Sequence, residues 1–255
     1  MDAHLSGSKG AIIFEGSVSS FSTLTANAVN GVEVNVSLTP VTGALTLDGD
    51  SDNAVDTLSG NDNILFASGI TLTSAGDISL SAANGGMTAA GALTLSATSG
   101  ITMTGALTGA GAIALTANSA ITLNSGISTS SGSLNINANS SALSLGSGIT
   151  LSSAGALTLS ASSISSSGNL TLTSTGSTIS VGSALTSSGS VAMTASTGLT
   201  LSNSTLTGAG DISLQGGSAL TLASGMSITS SGGNITLGAS TITANGALTL
   251  SSNGS

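Results

Sequence analysis

A five-residue pattern of apolar and polar positions recurs between Gly43 and Leu250: glycine, a small or polar residue, an apolar residue, a polar or small residue, and a second apolar residue. The clearest copies are GALTL at 43–47, GDISL at 76–80, GALTL at 91–95, GAIAL at 111–115, GSLNI at 132–136, GALTL at 155–159, GNLTL at 168–172, GSVAM at 189–193, GDISL at 210–214, GNITL at 233–237 and GALTL at 246–250. Apolar residues two positions apart place their side chains on the same face of a β-strand. Each copy therefore predicts a short strand with one buried face.

The polar position between the two apolar ones is expected to point to solvent. Its occupants are hydroxyl, amide or alanine side chains: Thr94, Ala114, Asn135, Thr158, Thr171, Ala192, Ser213, Thr236 and Thr249. If the strands stack, these residues form an outward column, while Leu and Ile stack in the interior.

The spacing of the strands reveals a longer repeat. The sequence number of the last apolar residue rises by 20, 21, 23 and 13 from Leu95 to Leu172, and by 21, 21, 23 and 13 from Leu172 to Leu250. The two series have nearly equal totals, 77 (172 − 95) and 78 (250 − 172). Each copy of this long repeat is interpreted as four units of roughly 19 residues. The steps of 23 and 13 predict that the pattern moves to another side of the coil.

Two or three short strands per unit, separated by Gly and Ser, predict an all-β fold: a parallel β-helix, or β-solenoid, with coils of about 19 residues. At a strand spacing of about 4.8 Å, roughly eleven coils from residue 43 onward would form a rod about 50 Å long.

Two regions are predicted along the chain. Residues 1–42 lack the pattern, and Asn30-Gly31 between alternating apolar residues predicts a type I′ hairpin that caps or begins the solenoid. Residues 43–255 form the solenoid array. Because Leu250 opens what would be another copy shortly before Ser255, we expect the chain to be a segment of a longer array.

These repeats resemble the haemagglutinin repeats of filamentous-haemagglutinin-like exoproteins, on the strength of the GALTL, GDISL and GNITL copies and the Gly-, Ser- and Thr-rich connections over residues 43–250. The resemblance implies a right-handed parallel β-helix displayed on the surface of a Gram-negative bacterium, exported by two-partner secretion and used in adhesion or as a stalk. The secretion domain of that family carries an Asn-Pro-Asn-Gly motif. Here the single proline is Pro40, in LTPVTG.

The composition of the chain limits which classes of binding partner are expected. Charged residues make up 4% of the chain, with one Lys, no Arg and a formal net charge of −9. Such a surface cannot neutralise a run of phosphates, so nucleic acids and anionic membranes are not expected partners. No apolar stretch approaches the length of a membrane-spanning helix, so membrane insertion is not expected either.

Candidate catalytic groups are sparse. His4 is the sole histidine, there is no cysteine, and the repeat body after residue 63 contains only Asp77 and Asp211 as charged residues. We therefore expect no enzymatic activity.

An acidic insertion interrupts the array at 48–63. Asp48, Asp50 and Asp52 alternate as in the first half of a calcium-binding loop, Asn53 occupies the tight-turn position, and Asp56 follows. These four aspartates are the candidate Ca²⁺ ligands. The twelfth position of such a loop is Ser59 and not a bidentate Glu, so a solvated acidic loop is the competing interpretation.

The sequence predicts a structural or adhesive extracellular module, the stalk or filament body of a bacterial surface protein. Its expected partners are further copies of itself in fibres, neighbouring repeats of a longer chain, and host or environmental glycans. One alternative is a specific binding module that uses the 48–62 loop. A more remote alternative is an ice-binding solenoid, because Thr-x-Thr pairs occur at 71–73, 102–104, 171–173 and 241–243, although these pairs do not recur on every coil.

Overall fold

A computed structural model describes residues 2–6, 10–17, 19–54 and 62–254. These residues form short β-strands and no helix, arranged in three parallel sheets that wind into a β-solenoid of about 11 turns. The predicted fold class is confirmed. Since the described residues contain no helix, none of them forms a helical membrane span.

The three sheets form the sides of the coil, and each turn contributes one strand to each sheet in the order A, B, C. Sheet A contains β1 (Asp2–Ser6), β2 (Ala11–Glu15), β5 (Val32–Val34), β8 (Asn63–Phe66), β11 (Gly86–Ala89), β14 (Leu107–Gly109), β17 (Ile127–Thr129), β20 (Ile149–Ser153), β23 (Leu170–Ser174), β26 (Val191–Ala195), β29 (Ile212–Gly216) and β32 (Ile235–Gly238). Sheet B contains β3 (Ser19–Phe21), β6 (Leu38–Pro40), β9 (Ile70–Ser74), β12 (Leu93–Ala97), β15 (Ile113–Ala117), β18 (Leu134–Asn137), β21 (Leu157–Ser160), β24 (Ile179–Val181), β27 (Gly198–Leu201), β30 (Ala219–Leu222) and β33 (Thr241–Ala244). Sheet C contains β4 (Leu24–Asn27), β7 (Leu45–Asp48), β10 (Ile78–Ser81), β13 (Ile101–Thr104), β16 (Ile121–Leu123), β19 (Ala142–Leu145), β22 (Ser163–Ser166), β25 (Ala184–Ser187), β28 (Thr205–Gly208), β31 (Met226–Ser230) and β34 (Leu248–Ser252).

The coil is longer than predicted, at about 21 residues and not 19. One copy of the long repeat, from Leu95 to Leu172, leads from β12 to β23, and the next copy leads from β23 to β34. Each copy of the long repeat therefore holds eleven strands. At three strands per turn, eleven strands make three and two-thirds turns and not four. The predicted coil was too short because the long repeat does not contain a whole number of turns.

The predicted change of side is confirmed. Leu159 lies in sheet B, whereas Leu172, the end of the next copy of the pattern, lies in sheet A because this short step skips one strand. The last short step moves the pattern from Leu237 in sheet A to Leu250 in sheet C. The five-residue pattern therefore moves to a different sheet with each copy of the long repeat.

Apolar side chains stack along the axis, as the alternation predicts. In sheet B the register aligns one column of residues that are at most 1% exposed: Leu93, Ile113, Leu134, Leu157, Ile179, Leu199 and Leu220. Burying such a column removes apolar surface from water at about 25 cal/mol per Å², which stabilises the stack without aromatic residues. Right-handed coiling stays a prediction of the family resemblance.

Serine side chains at the ends of strands bond one turn to the next. The Ser174 hydroxyl donates to the carbonyl of Gly155 at 2.7 Å, and the Ser187 hydroxyl donates to the carbonyl of Gly168 at 2.7 Å. Both serines are buried. The sequence does not identify such serines, because a hydroxyl in a Ser-rich connection gives no sign that its partner lies in the preceding turn.

The solenoid extends into the N-terminal segment that was predicted to lack the repeat and to cap or begin the array. Strands β2 to β4 form the first turn and β5 to β7 the second, and they pair in parallel with the turns that follow. The predicted boundary between 1–42 and 43–255 thus falls inside the solenoid. These early turns lack the regular five-residue pattern, so the sequence did not indicate that they belong to the solenoid.

The predicted hairpin at Asn30-Gly31 is wrong. Gly31 has a φ of 105° and lies at the corner where the chain leaves sheet C for β5 of sheet A. A positive φ serves a solenoid corner as well as a type I′ turn, so the dipeptide alone could not distinguish them. An antiparallel pair does exist nearby, where β1 covers the outer edge of β2 with Asp2 opposite Glu15.

Candidate functional site

The acidic insertion leaves the coil at the corner between sheets C and A, after β7 and before β8. From Leu47 to the aligned position Ile64 the sequence number rises by 17 (64 − 47), whereas in the next turn it rises by 7 from Leu80 to Met87 (87 − 80). The chain between these aligned positions is therefore ten residues longer (17 − 7) at the insertion than in the next turn. Residues 55–61, including the candidate ligand Asp56, lie outside the described residues.

Asp50 is the most constrained residue of the insertion. Its side chain is fully buried, and its Oδ2 accepts hydrogen bonds from the Asn84 backbone N–H at 3.0 Å and from Asn84 Nδ2 at 2.8 Å. Asn84 lies in the equivalent corner of the next turn, so Asp50 ties the insertion to the coil. The other carboxylate oxygen, Oδ1, is buried and has no hydrogen-bond partner among the described residues.

The other two described candidate ligands accept hydrogen bonds from backbone N–H groups close in sequence. Asp48 Oδ1 accepts a hydrogen bond from the Asp50 backbone N–H at 3.0 Å, and the exposed Asp52 uses Oδ1 to accept one from Ala54 N–H at 3.2 Å. Asn53 has a φ of 52°, as expected for the tight-turn position. Within the described ranges, no three His, Cys, Asp or Glu side chains come close enough to hold a metal ion.

The remaining carboxylates of the repeat body bond to the backbone. Asp77 Oδ1 accepts a hydrogen bond from Gly100 N–H at 2.8 Å in the next turn, and Asp211 Oδ1 accepts one from Asn234 N–H at 2.7 Å. Asn169 does the same with Ser190 N–H at 2.9 Å. All three residues follow the glycine of the five-residue pattern. A Gly-Asp or Gly-Asn pair at that point is the sequence signal that could have identified them as links between turns.

The predicted outward residues face solvent, but they do not form one column. Thr94 and Thr158 lie on sheet B, Thr171 and Thr236 lie on sheet A, and Thr249 lies on sheet C. This distribution arises because equivalent strands of the long repeat are eleven apart, so they lie on different sheets in successive copies. Which outward residues align from turn to turn is therefore defined by the strand register and not by the sequence repeat.

On sheet C the register produces an unbroken column of hydroxyl side chains, one in each of the eleven turns, which we call the sheet C hydroxyl ladder. Its members are Thr25, Thr46, Ser79, Thr102, Thr122, Ser144, Ser165, Thr186, Thr207, Thr229 and Ser251. All are exposed or half-buried. On sheet A the matching column is interrupted by Glu33, Leu65, Gln215 and Gly238.

A shallow groove of about 460 Å³ lies at the corner between sheets A and B near the C-terminal end. Its lining consists of small residues, with Gln215 as the one long side chain, next to Gly216, Gly217 and Ser240. The groove contains no pair of groups suited to acid–base chemistry.

The fold and surface define a β-solenoid repeat protein. Residues 67–137 match a repeat family described as "Repeats of unknown function (DUF5649)". The matched segment runs from just after β8 to the end of β18, which is close to the length of one copy of the long repeat. No curated protein and no solved structure matches the chain significantly.

Proposed function

We propose that this chain is a non-enzymatic scaffold, a segment of the stalk or filament body of an extracellular or bacterial surface protein. The observation that supports it best is the uninterrupted stack of about 11 turns, in which each turn adds length without adding a new kind of site. At a strand spacing of about 4.8 Å, such a stack spans about 50 Å. The sequence resemblance to filamentous-haemagglutinin-like repeats supports a surface location.

The neutral surface supports the same proposal. Nine of the ten acidic residues precede residue 78, so from turn 4 onward the rod carries a single charged side chain, at Asp211. Hydroxyl, amide and small apolar side chains cover most of the remaining surface. Hydroxyl groups both donate and accept hydrogen bonds, so such a surface can bond to glycans or to the hydroxyl groups of other rods.

Removal of residues 51–61 tests whether the insertion is needed. This deletion keeps Asp50 and its bonds to Asn84 and leaves β7 and β8 intact. If the chain is a scaffold, the variant retains its rod shape in electron micrographs and behaves like the unmodified chain in pull-downs with insoluble cellulose and chitin. Loss of polysaccharide binding by a folded rod would instead assign the function to the insertion.

The second candidate is a specific, calcium-dependent binding site in the insertion, and the unpartnered Oδ1 of Asp50 favours it. A buried carboxylate oxygen without a partner is costly, and a cation would satisfy it. Titration of the protein with Ca²⁺ in a calorimeter should give heat that is lost in Asp50→Asn and kept in the matched control Asp77→Asn. An absence of heat in the unmodified chain would exclude this candidate.

A further inference from the structure

We propose that the sheet C hydroxyl ladder is a lateral interface through which two copies of this chain associate antiparallel. The proposal rests on the scaffold function given above and names the surface and the partner. It concerns a face that the sequence repeat could not reveal, because equivalent strands of successive copies of the long repeat lie on different sheets.

The hydroxyls of the ladder are available for hydrogen bonds to another molecule. Within the described residues, none of its eleven hydroxyls makes a hydrogen bond to the chain, in contrast to the serines at the strand ends, such as Ser174 and Ser187, which bond to the preceding turn. Each hydroxyl offers one donor and two acceptor positions. The ladder therefore presents spare hydrogen-bonding capacity in every turn.

Of the two outward columns beside the ladder, the one that precedes it along each strand consists of small side chains. From turn 4 to turn 11 it contains no side chain larger than threonine and no charge: Gly100, Ala120, Ala142, Ser163, Ala184, Thr205, Ser227 and Thr249. Small, uncharged side chains allow a second sheet to approach closely, near the usual separation of about 10 Å between packed sheets.

Hydroxyl chemistry favours a second copy as the occupant. In a two-fold interface the same patch meets itself, so its groups must complement each other. A hydroxyl satisfies this condition because it both donates and accepts, whereas a charged column would repel its counterpart. Two copies also share the same strand spacing of about 4.8 Å, so their ladders stay in register over the whole face.

The distribution of charge favours the antiparallel arrangement. Since nine of the ten acidic residues precede residue 78, a parallel pair would place two acidic ends side by side. An antiparallel pair places them at opposite ends of the dimer. Ser144 is the sixth of the eleven ladder residues, so it meets its own counterpart at the centre.

The available area predicts weak association. A face about 50 Å long and roughly 10–17 Å wide, from strands of three to five residues, buries roughly 1,000–1,700 Å² in total. Stable interfaces bury about 1,200–2,000 Å². We therefore expect a dimer that dissociates on dilution.

Sedimentation velocity of the full chain over a wide concentration range tests the proposal. The unmodified chain should shift from monomer to dimer, and Ser144→Lys should weaken this association at least about tenfold because it places two like charges opposite each other. The matched control is Ser128→Lys, a half-buried outward serine on sheet A in the same turn, which should associate normally. Circular dichroism confirms that both variants fold.

A mixing experiment gives an independent readout. Ser144→Lys and Ser144→Glu should each be mainly monomeric alone and should form a heterodimer when mixed. A monomeric unmodified chain, equal weakening by Ser128→Lys, or no recovery on mixing would each overturn the proposal, and a monomeric rod would leave the scaffold function intact. Thermal hysteresis that Ser144→Lys abolishes in a monomeric chain would instead assign the ladder to ice.

Discussion

At the scale of single residues, glycines at the corners set how closely successive turns approach. A Cβ on Gly132 would lie 2.3 Å from the Ala112 backbone nitrogen and 2.6 Å from its Cα. A Cβ on Gly198 would meet nothing closer than 3.7 Å. The two glycines belong to the same solenoid, yet only the first is required by the contact between turns.

Gly132→Ala should therefore lower stability by roughly 1–3 kcal/mol, because the backbone of the preceding turn cannot move aside. Gly198→Ala is the control and should be neutral or slightly stabilising, by up to about 1 kcal/mol, since it restricts the unfolded chain. Thermal melts followed by circular dichroism compare the two. Equal melting temperatures would show that close contact between turns does not limit the stability of the fold.

The buried serines make a second residue-scale prediction. Ser230 is fully buried, donates to the Gly210 carbonyl at 2.8 Å and accepts from Gly233 N–H at 2.9 Å. Ser230→Ala should cost about 1–3 kcal/mol because it leaves buried backbone groups unpaired. Ser227→Ala, on the outward face of the same strand, should change stability by less than about 0.5 kcal/mol in the same denaturation experiment.

At the scale of elements, β1 is the one strand of the described chain that pairs antiparallel, and it covers the exposed edge of sheet A. An uncovered strand edge offers unpaired N–H and C=O groups to other chains. The strand thus protects the first turn at one of its three sides.

Deletion of residues 2–6 should increase amide hydrogen exchange in β2 and leave exchange in the central strands, such as β15 and β18, unchanged. Hydrogen exchange with mass spectrometry measures both regions in one experiment. Unchanged exchange across residues 11–15 would mean that β1 does not protect the edge in solution.

The insertion shows how much of the candidate site was predictable. Its place, its length and the tight turn at Asn53 could be predicted from the repeat alignment and the acidic composition. The bonds from Asp50 to Asn84 could not, because they join residues 34 apart that meet only when two corners stack. Local alternation of aspartates suggested converging ligands, whereas tertiary contacts direct Asp50 toward the next turn.

At the scale of the whole molecule, the three-strand turn is the unit of stacking. Leu107 in β14 aligns with Ile127 in β17, so deletion of residues 107–126 removes one turn and brings an equivalent strand into place. Stability in such arrays is close to a sum over neighbouring units. This deletion variant should keep a cooperative melt within a few degrees of the parent and form a rod about 4.8 Å shorter by small-angle scattering.

Deletion of residues 107–116 is the matched control, because it removes about half a turn. It joins Ala106 to Ala117 and shifts every following strand away from its sheet. We expect loss of the cooperative melt or aggregation. If both deletions behaved alike, the turn would not be the unit of stability.

The sequence by itself determined the local structure: alternation with period two defines strands and their buried faces, and the spacing of glycines defines corners. It also determined the long repeat that links Leu95, Leu172 and Leu250. Only the tertiary structure decided that eleven strands fill three and two-thirds turns, that residues 11–42 join the coil, and that hydroxyls align on sheet C. The physical reason is that alternation is a property of neighbouring residues, whereas the number of strands per turn depends on which residues, about 21 apart, pair across the stack.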